Sequence, residues 1–302
     1  MPLSDNARGA LYMSVAMTAF TANDACMKAV TQVLPLYQAM FLRGALATLA
    51  LLAIGWHMGS LRFGMEASDR KWLVLRTLGE VGGTLTFLSA LRHMPLANLS
   101  AILQFLPLAV TLAAALLLRE PVGWRRFTAI VIGFAGVLLI VRPGTEGFDR
   151  WALVGMASVG FVVLRDLTTR RMSSALPSVT VAVTAALSVT VTGAALLPFG
   201  GWAAVGAAQA ALIVIAAACL IAGYLLIVMA MRVGEISLVA PFRYTALIAA
   251  IGLGWAAFGQ WPDTLTLAGA GIVILTGIYS FHRERRLGRS VAMPDRPPLR
   301  VR

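Results

Sequence analysis

Glu80, Asp24 and Asp166 are carboxylates, and Arg43, Arg165 and Arg243 guanidiniums, that stand inside long apolar runs of the chain. A charge buried in hydrocarbon costs several kcal/mol by insertion scales, so each of these groups needs a partner, a ligand or a proton. Three carboxylates have a basic residue four positions away on the same helix face: Asp24 with Lys28, Asp166 with Arg170, and Glu80 with Arg76. Satisfied ion pairs near helix ends are one reading of Asp24 and Asp166; matched anchors or gates are the other. Glu80 lies about eight residues into its run, or ~12 Å at 1.5 Å per residue, near the middle of a ~30 Å hydrocarbon core. It suits binding of a substrate amine or coupling to protons, with a buried pair to Arg76 as the alternative. Gly79, Gly82 and Gly83 surround it and Thr84 follows. Small residues permit close helix approach and also leave room for a ligand.

Arg43 and Arg243 have no acid three or four positions away, so their partners must come from other helices, water or substrate. Depth predicts Asp24 with Arg43 and Glu80 with Arg243, as permanent pairs or as pairs that change between two states. Arg243 also suits a substrate carboxylate, gripped by the guanidinium fork. Arg165 adjoins Asp166 but is expected to point elsewhere on the helix. Asn23, Gln104, Tyr224 and Tyr244 are further candidates for substrate contact, or for packing and interface anchoring. Pro107 and Pro241 are placed to kink or break their helices.

The elements that must hold these residues follow from composition. Of 302 residues, 59% are hydrophobic and only 13% charged, with a mean hydropathy of +0.82. A soluble domain carries about 25% charge, so the chain is read as an all-α polytopic membrane protein. About 20 apolar residues span a bilayer. Ten such runs are predicted, near 9–30, 36–56, 72–91, 97–118, 123–141, 151–172, 178–198, 207–231, 236–258 and 265–282. The first is too long for a cleavable signal and reads as a spanning helix. With the N-terminus inside, 17 Lys and Arg fall on the inner side and 4 on the outer, which places both termini in the cytoplasm. The basic segment 284–302, rich in Arg and Pro, reads as a solvated disordered tail held near anionic lipid.

The net charge of +12 does not imply nucleic acid, because the basic residues sit at span ends rather than on one face. Cys26 and Cys219 lie in apolar segments without CxxC spacing and read as filler. His57, His93 and His282 fall at span ends or in loops, and no HExxH or Walker A motif is present. No catalytic residue, metal or cofactor is therefore expected.

The two halves match at a nearly constant offset. Shifted by 142 residues, Asp24 falls on Asp166, Lys28 on Arg170 and Leu34-Pro35 on Leu176-Pro177; shifted by 140, Arg92 falls on Arg232 and Glu120 on Gln260. Five spans per half is odd, so duplication predicts two inverted repeats, 1–146 and 147–283, with a substrate site between them.

The segment Leu116-Leu117-Leu118-Arg119-Glu120-Pro121 followed by Gly133 and Gly136, and Phe258-Gly259-Gln260-Trp261-Pro262-Asp263 followed by Gly269 and Gly277, resemble the repeat endings of the EamA family of the drug/metabolite transporter superfamily. Phe41-Leu42-Arg43-Gly44 and Pro241-Phe242-Arg243-Tyr244 are similar to bacterial members. The resemblance covers about residues 8 to 283; Gln260 departs from the glutamate usual there. It implies ten helices around a central cavity, the fifth and tenth peripheral, in a bacterial inner membrane. It implies transport of small metabolites, often amino acids and often outward. An uptake carrier for a vitamin or nucleoside-like compound and a passive channel are the alternatives. Substrate, direction, coupling ion and oligomeric state are not written in these residues.

Overall fold

The structure is a computed structural model, and it describes residues 4–57, 59, 67–118, 123–143, 149–173 and 177–286. The expectations resting on Arg62, on Arg119-Glu120-Pro121, on Leu176, on the boundary between 146 and 147 and on the tail beyond 286 lie outside the described residues.

The described chain is helical. Its elements are α1 (Asp5–Val33), α2 (Leu36–His57), α3 (Ala67–His93), α4 (Leu96–Leu103), α5 (Leu106–Leu118), α6 (Trp124–Val141), α7 (Arg150–Arg171), α8 (Ser178–Gly200), α9 (Ala207–Val233), α10 (Ile236–Val239), a 3-10 turn (Ala240–Tyr244), α11 (Thr245–Phe258) and α12 (Thr264–Arg286). Each predicted apolar run coincides with helix. Two runs are interrupted: 97–118 at Gln104 and Phe105, and 236–258 at the 3-10 turn. Both breaks sit beside the prolines. Pro107 has no N–H for the carbonyl of Leu103, and its ring crowds that carbonyl, so the chain tightens there: the Phe105 N–H donates to Ile102 at 3.1 Å. Pro241 opens the 3-10 turn in the same way.

Seven helical segments are long and apolar enough to cross a membrane, α4 and α5 counting as one. α1 and α3 fall short because polar and charged side chains run along them, and α10 and α11 because the turn divides their run. α12 continues to Arg286, so the segment from 284 begins as helix.

Helix ends carry recognisable caps. Ser4 accepts from the Ala7 N–H at the start of α1, Asp149 from the Trp151 N–H at α7, and Asp263 from the Thr266 N–H at α12. α11 stops at Gly259, whose φ of 64° suits glycine.

The helices pack in pairs: α1 on α9, α3 on α7, α2 on α8, α6 on α12, and α4 on α11. Glycine sets the closest approaches. A Cβ on Gly79 of α3 would lie 2.8 Å from the Arg165 nitrogen and the Phe161 carbonyl of α7, and one on Gly136 of α6 would lie 2.9 Å from the Gly269 carbonyl of α12. The predicted role of Gly79 in close helix approach is therefore realised against α7.

Candidate functional site

The central feature is a cavity of about 400 Å³. α1, α2, α3, α4, α5, α7, α8, α9, the 3-10 turn and α11 all contribute to its wall; α12 contributes Phe281 alone, and α6 no described residue. The two interrupted helices supply Gln104, Leu106 and Pro107 on one side and Arg243 and Tyr244 on the other. A helix that breaks at a cavity frees backbone groups where irregular chain is tolerated in a membrane.

Nine of the ten predicted site residues line this cavity: Asn23, Asp24, Arg43, Glu80, Thr84, Gln104, Tyr224, Arg243 and Tyr244. Asp166 does not. It is met by the lining residue Arg165, whose Nε and Nη2 both reach its Oδ1 at 2.9 Å.

Two polar clusters occupy the wall. In the first, the Asn23 amide couples an acid to a base: its Nδ2 donates to Asp24 at 2.9 Å, and its oxygen accepts from Arg43 at 3.3 Å. The expected pairing of Asp24 with Arg43 is therefore indirect. In the second, Glu80 lies 3.6 Å from Arg76 and 3.8 Å from Arg165, and Arg76 also donates to Thr169 at 3.1 Å. The Arg76–Glu80 pair is present as predicted.

Three expected pairings and one expected side-chain direction are corrected. Lys28 does not serve Asp24. It is 2% exposed and donates to the carbonyls of Leu91 and Met94 at 2.8 Å each, holding α1 to the end of α3, with its ammonium 5.5 Å from the Phe258 ring. A helix end with unsatisfied carbonyls carries partial negative charge and attracts a buried ammonium. Asp166 pairs with Arg165 rather than Arg170, because a guanidinium on a three-carbon stem can fold back over its own helix and is not bound by Cβ direction. The same flexibility overturns the expectation that Arg165 points away from Asp166. Finally, Glu80 is taken by Arg76 and Arg165, not by Arg243.

The tyrosines separate. Tyr224 packs edge-on against Phe20, with ring centroids 5.4 Å apart at 82°, and stays 39% exposed at the cavity wall. Tyr244 is 5% exposed; its phenol fills the notch that Gly277 leaves on α12, and its hydroxyl is buried without a hydrogen bond. Its ring lines the cavity, but its hydroxyl faces α12 and is turned from any ligand there. Gln260, noted for replacing a glutamate, also has a buried side-chain oxygen without a hydrogen bond.

Arg165, Ser100, Ser158 and Phe20 line the cavity although sequence reasoning did not select them as site residues. Arg165 was legible: it stands 142 residues after Asn23, already a candidate. The two serines and Phe20 carry no signal in an apolar sequence. Among the described residues no group of three His, Cys, Asp or Glu side chains is placed to hold a metal ion.

Comparison with known proteins bears on this geometry. The EamA-like transporter family matches residues 7–142. Three relatives align over nearly the whole chain. A riboflavin transporter of Vibrio cholerae is 28% identical over 93% of this chain and 95% of its own. The pseudopaline exporter CntI of Pseudomonas aeruginosa is 25% identical over 92% and 97%. An S-adenosylmethionine uptake transporter of Rickettsia felis is 23% identical over 90% and 92%. A solved protein crystal structure superimposes with a TM-score of 0.63 at 19% identity, covering 92% of this chain and 98% of the other, which shows a shared fold. Residues 7–142 thus match the EamA-like transporter family, and the similarity of nearly the whole chain to named transporters marks it as a small-molecule transporter embedded in a membrane rather than an enzyme.

Proposed function

We propose that the protein is a secondary transporter of the bacterial inner membrane. It crosses ten times, as two inverted five-helix halves (1–146 and 147–283) with both termini cytoplasmic, and exports a small amino-acid-type metabolite by alternating access. The observation that carries this reading is the cavity of about 400 Å³ between the halves, lined by both interrupted helices and by paired charges. Its size falls in the range of about 300–1,000 Å³ usual for small-ligand sites.

Helix pairing supports the inverted halves. Exchanging the halves turns α1 on α9 into α7 on α3 and α1 on α11 into α7 on α5, and carries α2 on α8 and α6 on α12 into themselves. Individual contacts follow the same exchange. Gly223 of α9 faces Phe20 of α1, and Gly83 of α3 faces Val162 of α7; Gly83 and Gly223 differ by 140 positions, Phe20 and Val162 by 142. Such symmetry lets the bundle rock about a fixed central site. The two clusters around Asn23 and Arg165 would then serve as gates on opposite sides of that site.

A second reading within the same class is uptake of a vitamin or nucleoside-like compound. The Phe20–Tyr224 aromatic edge at the cavity favours a flat ring, and two of the relatives are named for riboflavin and S-adenosylmethionine. A passive channel is the rival of another class.

The test is flux in proteoliposomes offered a mixed metabolite pool, read by mass spectrometry with and without a proton gradient. The parent and Glu80→Gln are compared. Accumulation that follows the gradient and disappears in Glu80→Gln supports a proton-coupled carrier and identifies the solute. Equilibration that ignores the gradient and survives the substitution would reduce the protein to a facilitator and Glu80 to a partner of Arg76 and Arg165.

A further inference from the structure

Arg243 is the one cavity guanidinium that no described residue pairs with directly; Asp166 acts on it only through space. Arg43 donates to Asn23, Arg76 meets Glu80, and Arg165 meets Asp166 and Glu80. Arg243 lines the same cavity with its side chain exposed, and among the described residues it has neither a hydrogen bond nor an ion pair. The wall and its immediate backing hold four guanidiniums (Arg43, Arg76, Arg165, Arg243) against three carboxylates (Asp24, Glu80, Asp166). One positive charge is left over, and protonating any of the carboxylates would enlarge the excess.

An uncompensated guanidinium deep in a membrane protein is costly unless an anion joins it. The carboxylates, by contrast, are already engaged: Asp24 accepts from Asn23, and Glu80 is shared by two arginines. A substrate amine would have to displace those partners, whereas a carboxylate would find a vacant planar fork. The same cavity also offers apolar and aromatic wall, from Phe20, Phe87, Leu103 and Tyr224.

We infer that Arg243 is the anchor of an anion subsite and that the cavity takes an organic acid with an apolar or aromatic body, its carboxylate held by the Arg243 guanidinium. This inference rests on the transporter reading of the same cavity but concerns which charge the ligand carries. It sets a carboxylate ahead of an amine as the recognised group.

Three isosteric probes of one ring and differing charge separate the cases: benzoate, benzamide and benzylamine, with inorganic phosphate as a fourth. The readout is the thermal unfolding midpoint of the purified full-length protein in detergent, titrated at constant ionic strength. Benzoate should raise the midpoint saturably, and the other three should not. Arg243→Gln should weaken the benzoate response by about 100-fold, the loss of two charge-assisted hydrogen bonds. Arg243→Lys, which keeps the charge and loses the fork, should retain part of it and show that the site still folds. The inference is overturned by a response to benzylamine or to phosphate alone, by equal responses to benzoate and benzamide, by a benzoate response that survives Arg243→Gln, or by no response. Vesicle flux is read separately. An Arg243-dependent benzoate response without any flux would refute the transporter reading and leave the anion site standing; flux of a cation indifferent to Arg243→Gln would do the reverse.

Discussion

The hydroxyls of Thr48 and Thr190 share a hydrogen bond at 3.1 Å, and the two residues stand 142 positions apart. That is the offset at which Asp24 falls on Asp166 and Asn23 on Arg165. A residue can touch its own repeat mate only near an axis that exchanges the halves. Under the proposed duplication, the contact between α2 and α8 therefore marks that axis, and groups there keep their neighbours while the outer helices rock. Replacing both threonines with cysteine, in a chain whose Cys26 and Cys219 are alanine, should give a pair that oxidises readily and still transports. A cross-link that forms but stops flux would show that α2 and α8 slide past one another.

Gly79 is predicted to be intolerant of a side chain. Its Cβ would press on the Arg165 nitrogen and the Phe161 carbonyl at 2.8 Å, and backbone cannot step aside. Gly79→Ala should cost about 1–3 kcal/mol in unfolding free energy by overpacking and should separate Glu80 from Arg165. Gly160 on α7 has open space around its missing Cβ, so Gly160→Ala should leave stability unchanged or raise it by about 0.5 kcal/mol. Chemical denaturation of the two variants checks the contrast.

Lys28 holds two backbone carbonyls, and its role separates the helix-cap geometry from the pairing expected on spacing alone. Lys28→Met should leave the Leu91 and Met94 carbonyls without their donor and cost about 2–3 kcal/mol. Asp24→Asn should leave this staple untouched. Equal losses in the two variants, measured by thermal unfolding in detergent, would mean that Asp24 and Lys28 depend on each other after all.

Asp263 gives a pH signature outside the membrane-spanning segments. Partial burial raises its pKa, but the Thr266 N–H and the Arg142 guanidinium outweigh this and hold the carboxyl below its ordinary value of 3.8. A carboxylate with a depressed folded value stabilises fully above its unfolded value and loses that contribution as pH falls through the folded one. Asp263→Ala should therefore cost about 1 kcal/mol near neutral pH, the usual worth of such a cap. The difference from the parent should shrink steadily below the unfolded carboxylate value. A gap that persists unchanged into strong acid would remove the charge from the explanation.

Much of the fold was legible because its signals are local. Apolar runs, prolines and glycines act on their own stretch of chain, so the helices fall where hydropathy puts them and the breaks fall beside Pro107 and Pro241. The site was half legible. Burial cost picks out Asp24, Arg43, Glu80 and Arg243 whatever their partners, but it says nothing of which group each will meet. Spacing of i,i+4 gave Arg76–Glu80 correctly and failed for Lys28 and Asp166. A long cationic side chain chooses among all acceptors within reach, and the helix-end carbonyls of Leu91 and Met94 and the neighbouring Arg165 are invisible to same-face arithmetic. Tyr244 failed for a related reason: its hydroxyl is aimed by a notch at Gly277, 33 residues later in the chain.

Counterflow in proteoliposomes tests the central claim of alternating access most directly. Vesicles preloaded with the metabolite pool, and vesicles left empty, receive the same pool isotopically labelled from outside. The account predicts saturable entry of at least one labelled solute that is faster into the loaded vesicles, because a carrier returns more quickly when occupied. Entry that rises linearly with concentration and is equal in both sets of vesicles would contradict it and identify a pore.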